Sequence, residues 1–281
     1  MMVDIITFHI NALLPEPHAS LLAGMLFGVH RSMPDEFYQS LIITGTLHVI
    51  ALSGMNVSII IRLLFDFLGN VLGKRWGVVG TLLGIGGFVW LVGPSPTIIR
   101  ASIMGSLTIC AVVVGRKSIP LLALGVSAVL MILFDLSLWK NISFQLSFLA
   151  TLGIILFANK SWKLSKENLP QEKSSKPTKT IGSSLLSLLT SDLKVSLSAQ
   201  VFTIPVILYQ FHRISLISPI ANVATGWLVG PIMYGGFLMI VLSLIFRPFG
   251  YLAGLIVWVP LTLFIWLVEL LAKVPAASIS F

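Results

Sequence analysis

Thr46-Leu47-His48-Val49-Ile50-Ala51-Leu52-Ser53-Gly54-Met55-Asn56-Val57-Ser58-Ile59-Ile60-Ile61-Arg62-Leu63-Leu64-Phe65-Asp66-Phe67 is the first apolar run in the chain long enough to cross a bilayer. A crossing needs roughly 20 mostly apolar residues. This run meets that need while carrying His48, Ser53, Asn56, Arg62 and Asp66 within it. Runs of the same kind follow at 76–93, 97–114, 119–138 and 142–158, then at 195–211, 214–246 and 249–272. Of the 281 residues, 56% are hydrophobic and 10% charged, and the mean hydropathy is +0.99. A soluble domain needs about 25% charged residues to face water, so a water-soluble enzyme is excluded. The expected fold is an all-α integral membrane protein, a polytopic helix bundle of about eight to nine spans with broken or re-entrant helices. A single cysteine, Cys110, rules out an intrachain disulfide and a cysteine-built metal centre.

The runs divide the chain into four parts. Residues 1–45 read as an extracytoplasmic and interfacial segment, in which Ala19 to Val29 is too short to cross and is expected to lie in the interface. Met1 to Asn11 lacks the basic start and apolar stretch of a cleavable signal, so insertion is expected to rest on the internal spans. Residues 46–158 form a first transmembrane block. Residues 159–194 combine a Lys-rich linker with an amphipathic segment, Ile181 to Leu193, suited to the membrane surface. Residues 195–281 form a second block, in which Pro219 and Gly230-Pro231 predict a broken or re-entrant helix followed by a full one.

The formal charge of +8, from 18 basic and 10 acidic residues, is first a statement about topology. Lys and Arg collect in cytoplasmic loops whatever a membrane protein does. Placing 68–75, 115–118 and 159–194 in the cytoplasm leaves two crossings between successive basic loops and puts residues 1–45 and 93–96 outside.

Signatures of self-sufficient catalysis are missing. Gly69 to Arg75 imitates a phosphate-binding loop, but three residues separate its glycines where four are needed, and Arg75 replaces the metal-binding hydroxyl. His9, His18, His30, His48 and His212 do not fall at zinc spacings, and Ser53-Gly54 lacks the nucleophile-elbow pattern. No cofactor is expected. Attention falls instead on polar groups inside apolar runs. A charge at bilayer centre costs roughly 2.5–3.5 kcal/mol on insertion scales and should face protein or water.

If 46–67 were one helix, His48, Ser53, Asn56, Arg62 and Asp66 would share half its circumference. Arg62 and Asp66, four apart, suit a mutual ion pair. Ser53-Gly54 is either a close-packing notch or an unwound turn. Arg100 sits one turn after Pro96, either snorkelling to the interface or lining an aqueous path for an anion. Ser143, Ser147 and Thr151 recur at helix spacing, which usually serves helix–helix packing, with Gln145 on another face. Gln200 and Asn222 complete the set.

The string His48 to Val57 resembles the signature of the ComEC-type competence proteins. Three further strings follow in the family's order: Pro94-Ser95-Pro96-Thr97-Ile98-Ile99-Arg100-Ala101-Ser102-Ile103-Met104, then Phe144 to Gly153, then Ala199-Gln200 with Thr203-Ile204-Pro205 through Ala221-Asn222. The resemblance covers about residues 15–235. It implies a channel that passes single-stranded DNA across the bacterial cytoplasmic membrane during natural transformation, with a surface DNA receptor and a cytosolic motor ATPase as partners. It allows a homo-oligomer and a separate metallo-β-lactamase-like nuclease. Full-length members usually carry an oligonucleotide-binding-like domain and that nuclease-like domain; neither pattern is in this sequence, so the chain is read as non-enzymatic. The family generally has His two residues after its Ser-Gly, where this sequence has Asn56.

The expected DNA path is bordered by His48, Ser53, Gly54, Asn56, Arg100, Gln145, Ser147, Gln200 and Asn222. The rival readings are a small-solute or ion transporter and a non-conducting scaffold of the uptake machinery.

Overall fold

A computed structural model describes residues 2–29, 33–157, 181–275 and 277–280. Its helices are α1 (Met2–Leu13), α2 (His18–Phe27), α3 (Asp35–Thr44), α4 (Leu47–Ile50), α5 (Gly54–Val92), α6 (Pro96–Val113), α7 (Pro120–Phe134), α8 (Ile142–Phe157), α9 (Ile181–Phe211), α10 (Ser218–Ile245) and α11 (Arg247–Ala272). Strands β1 (Arg213–Ser215) and β2 (Ser278–Ser280) pair antiparallel, with Ile214 opposite Ile279, and tie the chain's last residues to the start of α10. Among the described residues, five helical stretches are long and apolar enough to cross a membrane: Leu47–Val92, Pro96–Val113, Thr190–Phe211, Ser218–Ile245 and Arg247–Ala272. The bundle is thus helical and membrane-suited, as expected, with one minimal strand pair added.

α5 is not a straight rod. Gly73 has φ 79 and ψ 160, a conformation open essentially to glycine alone, and there the helix folds back on itself. A Cβ placed on Gly77 would lie 2.6 Å from the Cα of Gly69, on Gly80 3.1 Å from Leu68 Cδ1, and on Gly84 3.0 Å from Leu64 Cδ1. Positions rising along one arm meet positions falling along the other, so 54–72 and 74–92 form an antiparallel hairpin. Each arm is roughly 28 Å long at 1.5 Å per residue, close to the bilayer's hydrocarbon thickness. α10 and α11 make a second hairpin about Phe246: Gly250 meets Ser243, Gly254 meets Met239, and Gly235 meets Val257. Small residues let these backbones approach where no hydrophobic force separates helix from lipid.

α2 packs differently from a helix lying on a surface. An interfacial helix would leave one face to water, but every residue of α2 from Ala19 to Phe27 is buried. α2 contacts α1, α4, α5, α10 and α11. Leu22 and Leu26 sit over Gly236 of α10, and Gly24 is in close contact with Ile50. His18 at its start stacks on Trp258, centroids 5.6 Å apart, with Nε2 2.9 Å from Thr262 Oγ1. α2 is a short core helix, which is why it is apolar around its circumference.

One conditional reading fails, and two expected breaks are absent. α4 ends at Ile50 and α5 starts at Gly54, so 46–67 is not one helix and the shared half-circumference from His48 to Asp66 does not exist. α10 continues through Pro231, and Pro219 lies in its first turn, where a missing N–H costs nothing. One internal proline removes a single ladder bond, which a packed helix can absorb. The expected division between Ile181–Leu193 and 195–211 is likewise absent, since α9 runs from Ile181 to Phe211 without interruption. The lysine-rich linker at 159–180 lies outside the described residues.

Candidate functional site

The break before α5 is where three helix ends meet. Ser53 caps α5: its Oγ accepts from Asn56 N–H at 3.3 Å and donates to Asn56 Oδ1 at 3.0 Å. Asn56 Nδ2 donates to Met25 O and to Val49 O, each at 3.1 Å. Those carbonyls belong to the last turns of α2 and α4, which lack helical partners by construction. Asn56 is wholly buried. Both amide hydrogens are spent on backbone, so this residue joins the helix ends and has no donor left for a passing strand.

Arg100 arrives from α6, whose start is set by Ser95 accepting from Ile98 N–H at 3.3 Å and by Pro96 in the first turn. Its side chain does not snorkel, being 6% exposed. Nε donates to Ser147 Oγ on α8 at 2.8 Å, and Nη1 to Met104 Sδ at 3.3 Å. Nη2 is directed at the start of α5, where a Cβ on Gly54 would lie 3.0 Å away. Gly54, Arg100 and Ser147, from three separate sequence strings, thus converge on one guanidinium. Among the described residues no carboxylate pairs with it. Arg62 and Asp66 pair with each other instead, 3.7 Å apart on the exposed side of α5, as their spacing predicts.

A second polar cluster joins α9 to α10. Gln200 Nε2 donates to Ser218 Oγ at 3.1 Å. Asn222 Nδ2 donates to Ser196 Oγ at 3.0 Å and to Ser218 Oγ at 3.5 Å. Asn222 Oδ1 is buried without a hydrogen-bond partner among the described residues. Gly45, at the end of α3, is packed on this cluster: a Cβ there would lie 2.9 Å from Ser218 Oγ. His48 is exposed, with Nδ1 3.0 Å from Gly45 O. The segment from Gly45 to Gly54 therefore runs from the second cluster to the first. Gln145 joins neither, since its Nε2 donates to Trp139 O at 2.9 Å.

Ser196 and Ser218 were not singled out from the sequence. The signal was present: each lies four residues before an expected site amide, Ser196 before Gln200 and Ser218 before Asn222. The carbonyls of Met25 and Val49 had no such signal, because backbone acceptors leave no mark in side-chain pattern.

The chain, both clusters included, matches the family described as Competence protein over residues 25–281. It belongs to the Competence protein family. This family member is similar to ComE operon protein 3 of Bacillus subtilis (strain 168), 27% identical over 209 residues, covering 74% of this chain and 24% of the relative. It is also similar to an uncharacterized protein of Aquifex aeolicus (strain VF5), 32% identical over 134 residues, covering 47% of this chain and 32% of that one. The matched regions thus span about a quarter to a third of these relatives' lengths. No solved structure matches the chain.

Proposed function

We propose that this competence-family protein is the membrane-embedded conducting part of a DNA-uptake apparatus and passes a single DNA strand across the cytoplasmic membrane. Reading the two arms of α5 together with α6 to α11 as crossings gives a bundle of about eight spans, with the basic loops inside. The observation that carries the reading is Arg100: a buried cation without a carboxylate partner among the described residues, positioned by residues from three separate strings of the sequence. A buried charge of this kind requires an anion or water to offset its desolvation. A phosphodiester supplies that anion intermittently. The cluster of Gln200, Ser218 and Asn222 offers neutral hydrogen bonds, which hold a strand without trapping it. A surface DNA receptor and a cytosolic motor ATPase supply delivery and drive.

Arg100→Ala removes the cation and the donor to Ser147 Oγ. At equal abundance in the membrane, entry of labelled DNA should fall by at least about tenfold, the scale of one hydrogen bond to a charged group. Surface binding of the same DNA should persist. Unchanged entry rejects the reading, as does an equal loss of surface binding and entry.

A further inference from the structure

We infer that the first turn of α5 and the Arg100 guanidinium together form a phosphate cradle holding one phosphodiester of the strand. This rests on the DNA-conducting reading above and names the binding station within it.

The start of α5 has two backbone donors to spare. Asn56 N–H is taken by Ser53 Oγ, and Val57 N–H by Ser53 O at 3.2 Å. Gly54 and Met55 N–H have no acceptor among the described residues. Helix starts leave such donors free and carry a partial positive charge, which suits an oxyanion. The second observation is Arg100. Its side chain is 6% exposed, with Nε and Nη1 held by Ser147 and Met104, while Nη2 has no hydrogen-bond partner among the described residues and lies against Gly54. The carbonyls of the other two helix ends at this junction do not compete for the donors of the cradle, because Met25 O and Val49 O already accept from Asn56 Nδ2. Access is open on one side: Met55 is 45% exposed.

Gly54 has a specific duty here. The Cβ of any other residue would crowd Nη2 at 3.0 Å and meet Ala101 Cβ in ordinary contact at 3.8 Å, pushing the guanidinium back from the helix start by a few tenths of an ångström. Glycine is therefore what allows the side-chain cation and the backbone donors to address the same oxyanion. Ser53, at φ −87 and ψ 161, is compatible with a following proline, and the first helical position tolerates one. Gly54→Pro thus deletes one N–H as well as adding the carbon, whereas Gly54→Ala adds the carbon alone.

The test uses the full chain in phosphatidylcholine nanodiscs, with fluorescent oligothymidylate and an uncharged methylphosphonate oligomer of the same sequence as probes. Oligothymidylate should bind about tenfold more weakly to Gly54→Ala and weaker still to Gly54→Pro, with Arg100→Gln similar to the latter. The methylphosphonate should bind all four proteins alike. Equal binding of oligothymidylate to wild type and both Gly54 variants overturns the cradle, as does parallel weakening of both oligomers.

Adding phosphatidylglycerol separates the two sources of phosphate. If it abolishes oligothymidylate binding to wild type and Gly54→Pro prevents this competition, the cradle belongs to lipid headgroups and the assignment to DNA is overturned. If cells take up DNA through the wild-type protein while its Gly54 variants bind oligothymidylate normally, the cradle fails and conduction stands. If deleting the protein leaves uptake unchanged, conduction itself fails.

Discussion

Asn56 shows how one side chain can hold a membrane protein's irregular backbone together. In lipid an unpaired carbonyl has no water to turn to, so the ends of α2 and α4 require a donor, and Asn56 Nδ2 is the donor for both. Asn56→Leu, similar in volume, strands the carbonyls of Met25 and Val49 at a penalty of about 1–3 kcal/mol each. The expected outcome is a loss of roughly 2–6 kcal/mol and a lower unfolding midpoint for the purified protein, read by tryptophan fluorescence in detergent. An unchanged midpoint would show that the two carbonyls find other donors. Ser53→Ala is a milder change. It removes only the cap on Asn56 N–H and the hydroxyl donated to Oδ1, so about 1 kcal/mol should be lost in the same measurement.

At the scale of elements, the α5 hairpin carries the sharpest consequence. Positions 68 and 80 are twelve residues apart and would stand roughly 18 Å apart along a straight helix, beyond the reach of any disulfide. In the hairpin a Cβ on Gly80 lies 3.7 Å from Leu68 Cγ. Leu68→Cys combined with Gly80→Cys, in a Cys110→Ser background, should cross-link on mild oxidation within the membrane. A double variant that stays fully reduced would mean that the arms do not fold back.

This hairpin was half legible in the sequence. Two apolar runs with 68–75 between them announced two arms, because lipid demands about one span of apolar residues per crossing. The turn residue itself was hidden among several glycines. The burial of α2 was legible too, since His18 to Phe27 has no continuous polar face, yet shortness alone suggests the interface. Pro231 misled for the opposite reason: proline is read as a break, whereas in α10 the surrounding packing carries the helix across it. What no pattern could give was partnership across the chain. Arg100 and Ser147 lie on different helices, and only the assembled bundle places them 2.8 Å apart.

For the whole molecule, the conducting reading depends on which helices cross. α7 is the critical case, because its 15 residues reach only roughly 22 Å, less than the hydrocarbon thickness of about 30 Å. Its ends are nevertheless placed for a crossing. The basic pair Arg116 and Lys117 precedes it, and the turn at Leu136–Lys140 follows it with Trp139 exposed, the residue type that favours the membrane–water interface. A short span can be accommodated by local thinning of the bilayer. Lys117→Cys and Ser137→Cys, each in the Cys110→Ser background, separate the possibilities. A membrane-impermeant maleimide added to intact cells should modify the cysteine at 137 and spare the one at 117 until the membrane is opened. If both react from outside, or neither does, α7 does not cross. The basic loop 115–118 and the turn after α7 then share one side, and the alternating order of spans on which the conducting reading depends is lost.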